Sequence, residues 1–132
     1  MEMKNGVQSV EVVPGRKIVI SVGAGKTSVD EIKKLTRTVL DKAKQWEESG
    51  WAYVADCSNV APVTPAEAGE LVVMTRALVD AGCKALGFAE GKSLMLKIQA
   101  HKNTERSAMD VAEGHFATVE EALEWLKNEM GI

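Results

Sequence analysis

The sequence predicts an α/β fold: a mostly parallel sheet of four or five strands, begun by an antiparallel hairpin, with about four helices packed against it. Three observations carry that expectation. Runs rich in β-branched residues alternate with amphipathic stretches of helical period. Three of those stretches open on a hydroxyl residue followed three positions later by glutamate, the capping box that marks a helix start. The first two β-type runs are separated only by the turn pair Pro14-Gly15 and a short polar link, too little chain for a crossover helix.

Val7–Val13 reads as the first strand and Lys17–Val22 as its hairpin partner. Ser28 caps the first helix, with Glu31 as the return arm of the box. Val29, Ile32, Leu35, Val39, Ala43 and Trp46 share one helical face, and Gly50 ends the segment in the left-handed region. Trp51–Ala55 is a short buried strand ending at Asp56. Thr64-Pro65-Ala66-Glu67 opens the second helix, with proline at the first helical position, where its missing N–H costs nothing. That helix runs through Leu71, Met74, Leu78 and Val79 to Gly82. Ala85–Ala89 is the next strand, Ser93 to about Glu105 a basic third helix, and Val111–Phe116 a last strand. Thr118-Val119-Glu120-Glu121 opens the fourth helix, with Ala122, Leu123 and Leu126 inward and Gly131 at its end. Strands alternating with helices imply right-handed crossovers, with ligands or partners meeting the loops at the strand carboxyl ends.

Composition excludes several function classes. The 132 residues fit one domain, and 45% apolar with 27% charged residues is a globular balance. A net charge of −3 and few aromatics argue against nucleic acid as a partner. No apolar run approaches the roughly 18 residues of a membrane span, and Met1 to Gly6 lacks the apolar core of a signal peptide. A cytoplasmic protein is expected, with Cys57 and Cys83 as reduced thiols. The two histidines, His101 and His115, stand in no metal-ligand spacing, so no metal and no cofactor is expected.

At Asp56-Cys57-Ser58-Asn59-Val60 and the helix that follows, the chain resembles the STAS domain (sulfate transporter and anti-sigma-factor antagonist). That family carries a strand ending in Asp-x-Ser-x-Val and a loop Asp-Ser-Ser-Gly-Leu-Gly that leads into a helix. Asp56, Ser58 and Val60 match the first part, and Gly69 matches the second glycine of the loop. Phe116-Ala117-Thr118-Val119-Glu120-Glu121-Ala122-Leu123 resembles the family's closing turn and helix. Leu94–Ala100 and the ending Glu121–Leu126 look closest to a divergent STAS-like branch whose members mostly lack an assigned role. The likeness spans about residues 7 to 130 and implies a single STAS-like domain over residues 1–132. It also implies a non-catalytic regulatory module that binds another protein, such as a kinase-type or sigma-pathway regulator. One departure matters. In antagonist members the loop's second serine accepts phosphate, and Ala66 occupies that position here, after Thr64 and Pro65. Alanine has no hydroxyl to modify, and the Thr64 oxygen already has a role as a helix cap. The partner-binding edge expected from the resemblance is Asp56, Ser58, Asn59, Thr64, Ala66, Glu67 and Gly69.

The remaining constellations have milder readings. Gly25-Lys26-Thr27 and Gly91-Lys92-Ser93 each follow a strand and precede a helix, yet a phosphate-binding loop needs a glycine five positions earlier, where Ile20 and Leu86 stand. Lys26, Thr27, Ser28, Lys92 and Ser93 remain an alternative anion site, where free N–H groups and the helix dipole favour a small phosphate or carboxylate. Lys92, Lys97, His101, Lys102 and Arg106 make the third helix basic within an acidic protein, suited either to solvent or to an acidic partner. Asp56 beside Cys57 raises the thiol's pKa and argues against a nucleophile. No acid–base or nucleophile pair is apparent, so no enzymatic activity is expected.

Overall fold

The structure, a computed structural model, describes residues 5–132. Its elements are β1 (Gly6–Val12), β2 (Ile18–Gly25), α1 (Val29–Ala43), β3 (Trp51–Val60), α2 (Pro65–Asp80), β4 (Cys83–Ala89), α3 (Leu94–Ser107), β5 (Ala112–Phe116) and α4 (Val119–Trp125). A 3₁₀ turn, Lys44–Trp46, extends α1, and a π turn, Leu126–Met130, extends α4.

All the strands join one sheet in the order β1-β2-β3-β4-β5. β1 and β2 form the antiparallel hairpin, and each later strand adds parallel to the one before it. A right-handed crossover that steps the same way each time delivers its helix to the same face each time. Thus α1, α2 and α3 line one face in sequence, α2 packing between the other two. The opposite face is left to α4, which returns across β3, β4 and β5. Because the order never reverses, the parallel strands have no switch-point crevice of the kind that holds nucleotides in doubly wound sheets.

Strand periodicity sorts the core into two layers. Val19, Tyr53, Cys83 and Leu86 point at the three-helix face, where they meet Ile32, Val39, Met74 and Leu78. Ile18, Ala52, Val54 and Ala85 point at the other face and meet Ala122 and Leu126. Only the cap half of each expected box forms: the Glu31 carboxylate takes the Val7 N–H in place of a return to Ser28, and those of Glu67 and Glu121 meet the Thr64 and Thr118 hydroxyls. The Ser28, Thr64 and Thr118 hydroxyls accept the backbone N–H of Glu31, Glu67 and Glu121. Ser93 likewise accepts from Leu96.

β3 is longer than the sequence suggests: it continues past Asp56 to Val60. Beyond Asp56 it has lost β4, whose last partner is Ala89, but it still pairs with β2 through Ala24–Asn59 and Gly25–Val60. Asp56, Ser58 and Asn59 therefore lie on a strand extension, not in a loop. α1 stops at Ala43, and Gly50 (φ +85°) closes the turns after it with its N–H on the Trp46 carbonyl at 3.0 Å. α3 outruns its expected end and closes on Ala108 in the left-handed region, φ +56°, a position that nothing in a glycine-based reading marks.

Candidate functional site

The carboxyl edge of the sheet gathers three junctions. Ala61 N–H donates to the Gly25 carbonyl at 2.8 Å, which ties the β3–α2 connection to the β2–α1 junction. On its other side a Cβ at Gly91 would lie 3.5 Å from Ser58, so the β4–α3 junction adjoins as well. Within this edge the Asp56 carboxylate accepts both the N–H (3.2 Å) and the hydroxyl (2.8 Å) of Ser58. Ser58, Asn59, Thr64 and Ala66 are exposed, and Glu67 and Gly69 half-buried. The Glu67 carboxylate accepts the Thr27 hydroxyl at 3.2 Å and, on its other oxygen, the Thr64 hydroxyl. One glutamate thus clamps two helix starts together. Gln99 of α3 closes the other side, accepting the Val63 N–H at 3.2 Å and donating to the Val63 carbonyl at 3.4 Å.

The backbone and hydroxyl groups of the anion alternative are already engaged, while the Lys26 side chain is exposed. Lys26 N–H donates to the Asn5 side chain at 3.1 Å, Thr27 is spent on Glu67, and Ser28 and Ser93 cap their helices. Glu31 accepts the Val7 N–H at 3.1 Å beside the same junction, so carboxylates flank the position a ligand anion would take. Lys92 is exposed.

Beneath the helix layer lies a cavity of about 150 Å³. Tyr53, Cys57, Leu71, Met74, Phe88 and Leu96 contribute to its mainly apolar wall. Burial pushes the Cys57 thiol up to about 12, with Glu90 and then Asp56 adding to the shift. Burial likewise pushes Cys83 up to about 12 and raises the Tyr53 phenol, whose hydroxyl pairs with Ser21. Both cysteines are free thiols.

A second cluster forms where β4 and β5 end beside α3. Glu90, only 3% exposed, follows β4 directly, and its N–H donates to the Phe116 carbonyl at 2.9 Å. Both its carboxylate oxygens stand 3.0 Å from His115 Nδ1. His115 Nε2 meets Glu113 at 2.5 Å, and Glu113 meets His101 Nδ1 at 3.0 Å. Phe88 stacks on the His115 ring, centroids 5.3 Å apart, and fixes its plane. Burial raises the Glu90 carboxyl above its ordinary range, while the hydrogen bond and charge of His115 oppose that rise.

On the outer side of α3, Leu94 is 68%, Met95 58% and Ile98 46% exposed. Their spacing places them around the first turn and a half of the helix, among exposed Lys92, Lys97 and Lys102. No helix among the described residues is long and apolar enough to cross a membrane.

The chain superposes on the crystal structure of an uncharacterized protein of the DUF3478 family from Shewanella loihica PV-4, whose fold is described as SpoIIAA-like. The match covers 96% of this chain and 98% of that one, with a TM-score of 0.70 at 12% sequence identity. The fold is SpoIIAA-like. This is the STAS-like frame that the Asp56–Val60 and Phe116–Leu123 segments resemble. At 12% identity the likeness carries the fold and no activity. No family model matches the chain, and no curated protein matches it.

On this SpoIIAA-like frame Asp56 and Ser58 bond to each other on the β3 extension and Thr64 and Glu67 bond to each other at the start of α2, while the two groups of the anion alternative lie at the β2–α1 and β4–α3 junctions. The Glu90–His115–Glu113–His101 cluster has no counterpart in the sequence reading. His101 and His115 sit on different elements, and only strand register brings Glu90 opposite the end of β5. One signal was available: in Glu113-Gly114-His115 the period of two puts carboxylate and imidazole on one face of a strand.

Proposed function

We propose that the chain is a non-catalytic, cytoplasmic interaction module that binds another protein through one continuous surface, the Asp56–Gly69 edge together with the outer side of α3. The observation that carries this reading is the exposed trio Leu94, Met95 and Ile98 on α3, the helix whose Gln99 bonds to Val63 of the β3–α2 connection. Large apolar side chains gathered on an exposed helix face lose free energy to water that burial against a partner would recover, on the order of 25 cal/mol per Å² of apolar area. Lys92, Lys97 and Lys102 are exposed on or just before the same helix, so a complementary partner presents an apolar patch with carboxylates nearby. Gln99 couples the two halves of the surface by holding the Val63 backbone. Recognition needs no covalent step, which agrees with Ala66 at the family's phosphoacceptor position. A small-anion sensor is the weaker reading, because Glu31 and Glu67 flank the Lys26–Ser28 junction.

The test pairs thermal melts with quantitative affinity capture. Leu94→Glu/Ile98→Glu should leave the melt nearly unchanged, because both positions are exposed, and should abolish retention of a protein partner that the unmodified chain holds in a salt-sensitive manner. Thr64→Ala should cost about 1 kcal/mol of stability by uncapping α2 and weaken retention, and Thr64→Ser should restore both. Equal retention by all folded variants removes this surface from consideration. Retention by anionic vesicles with no protein partner would exclude the protein-binding reading.

A further inference from the structure

We propose that His101, Glu113 and His115 bind one divalent transition-metal cation of the zinc type, with Glu90 holding the far nitrogen of His115. The site is assembled from three elements: His101 on α3, Glu113 and His115 on β5, and Glu90 at the end of β4.

A neutral imidazole has one N–H and one lone pair. His115 faces a carboxylate from both ring nitrogens, Glu90 at Nδ1 and Glu113 at Nε2. A neutral ring that donates from Nδ1 to Glu90 must point its Nε2 lone pair at a carboxylate oxygen 2.5 Å away. Two lone pairs at that distance repel, so a proton lies between them as the cluster stands, and a metal ion takes the proton's place only once the two atoms move apart. His101 repeats the arrangement in part. Its Nδ1 faces the same Glu113 at 3.0 Å, and its Nε2 faces Glu105 at 3.8 Å. Glu113 is therefore the shared inner carboxylate between two imidazole nitrogens, and His115 is backed by an outer carboxylate, Glu90, whereas Glu105 stands beyond hydrogen-bond distance of His101. A carboxylate on the far nitrogen fixes a histidine ligand's tautomer and raises its basicity toward a metal.

Charge permits a cation here: Glu90 and Glu113 bring two carboxylates to His115, and Glu113 also faces His101. Geometry allows it as well. The ligand atoms of His101, Glu113 and His115 lie within 4.8 Å of one another, and tetrahedral zinc with bonds near 2.0–2.1 Å needs them about 3.4 Å apart. The His115–Glu113 pair, at 2.5 Å, and the His101–Glu113 pair, at 3.0 Å, have to open to that spacing: His101, whose side chain is 59% exposed, can swing outward, and the Glu113 carboxylate must turn away from His115, which Phe88 and Glu90 keep in place. Two histidines and one glutamate select zinc, nickel or cobalt over calcium or magnesium, and leave a fourth position to water on the solvent side.

The untagged chain should bind one equivalent of Zn²⁺ in competition with a chromophoric chelator, and Co²⁺ should give the visible absorption of a four- or five-coordinate ion. His101→Ala and Glu113→Gln should each weaken Zn²⁺ by at least about tenfold, and Glu90→Gln by roughly 10- to 100-fold. His101 is exposed, so its variant should fold with an unchanged metal-free melting temperature, and it decides the matter even if a His115 variant fails to fold. Failure of the folded, unmodified chain to bind Zn²⁺ or Co²⁺ overturns the proposal. Zn²⁺ binding that is indifferent to both His101→Ala and Glu113→Gln overturns it too, because the ion would then sit elsewhere.

Discussion

Cys57 sits on β3 between the exposed edge and the apolar cavity, where a reactive thiol would be well placed to meet a ligand. Its surroundings oppose that use. Burial dominates the rise of its pKa to about 12, and the Glu90 and Asp56 carboxylates add to it, while the sulfur points its hydrogen at the Ala89 carbonyl, 3.5 Å away. Against an ordinary value of 9.0, such a rise cuts the thiolate population at pH 8 by roughly a thousandfold. Since the thiolate is the nucleophile, iodoacetamide should label native Cys57 at least about a hundredfold more slowly than the same chain in denaturant. Native labelling at the denatured rate would contradict the assignment. The direction of this effect was legible in the sequence from Asp56 alone. Its larger cause was not, because burial of Cys57 and the approach of Glu90 depend on how α2 and α3 cover the sheet.

The elements show the same division between local and non-local information. Helix starts were readable because a capping box is confined to four successive residues, and Ser28, Thr64 and Thr118 all cap as expected. Strand ends were less so: the apolar run alone ends β3 at Asp56, and although the Asp-x-Ser-x-Val match implies a strand reaching Val60, what holds it there is pairing with β2. The metal-type cluster was hidden for the same reason, since Glu90 and His115 meet only when β4 and β5 are in register. Gly82 illustrates a glycine demanded by both local and tertiary structure. Its φ of +97° turns the chain from α2 into β4, and a Cβ there would lie 2.4 Å from the Glu47 carbonyl oxygen, in the turn after α1. Gly82→Ala should therefore cost about 2 kcal/mol or more, combining left-handed strain with a backbone clash. Urea unfolding measures it, and an unchanged midpoint would show that the α1–β3 turn yields freely.

At the scale of the whole molecule, the one-directional strand order concentrates the main core on a single face, and that core encloses ionisable groups. Tyr53 and Cys83 belong to it, and Cys57 lines the cavity beside it. All three are held protonated in the folded chain by burial, so their folded pKa values exceed the unfolded ones. Below the unfolded cysteine value of 9.0 the folded and unfolded states carry the same protons on these groups, and their contribution to stability is fully present. Above it the unfolded state sheds protons that the folded state retains. Stability then falls with each further rise in pH, until the folded thiols themselves ionise near 12. The urea midpoint should accordingly begin to drop above pH about 9 and decline through pH 11. Cys83→Ala removes one of the linked protons, so its decline should be shallower than that of the unmodified chain, even though the lost sulfur lowers its stability at neutral pH. Parallel alkaline slopes for the two proteins would mean that Cys83 ionises as readily in the folded core as in the open chain, and would place the alkaline sensitivity in Tyr53 and Cys57.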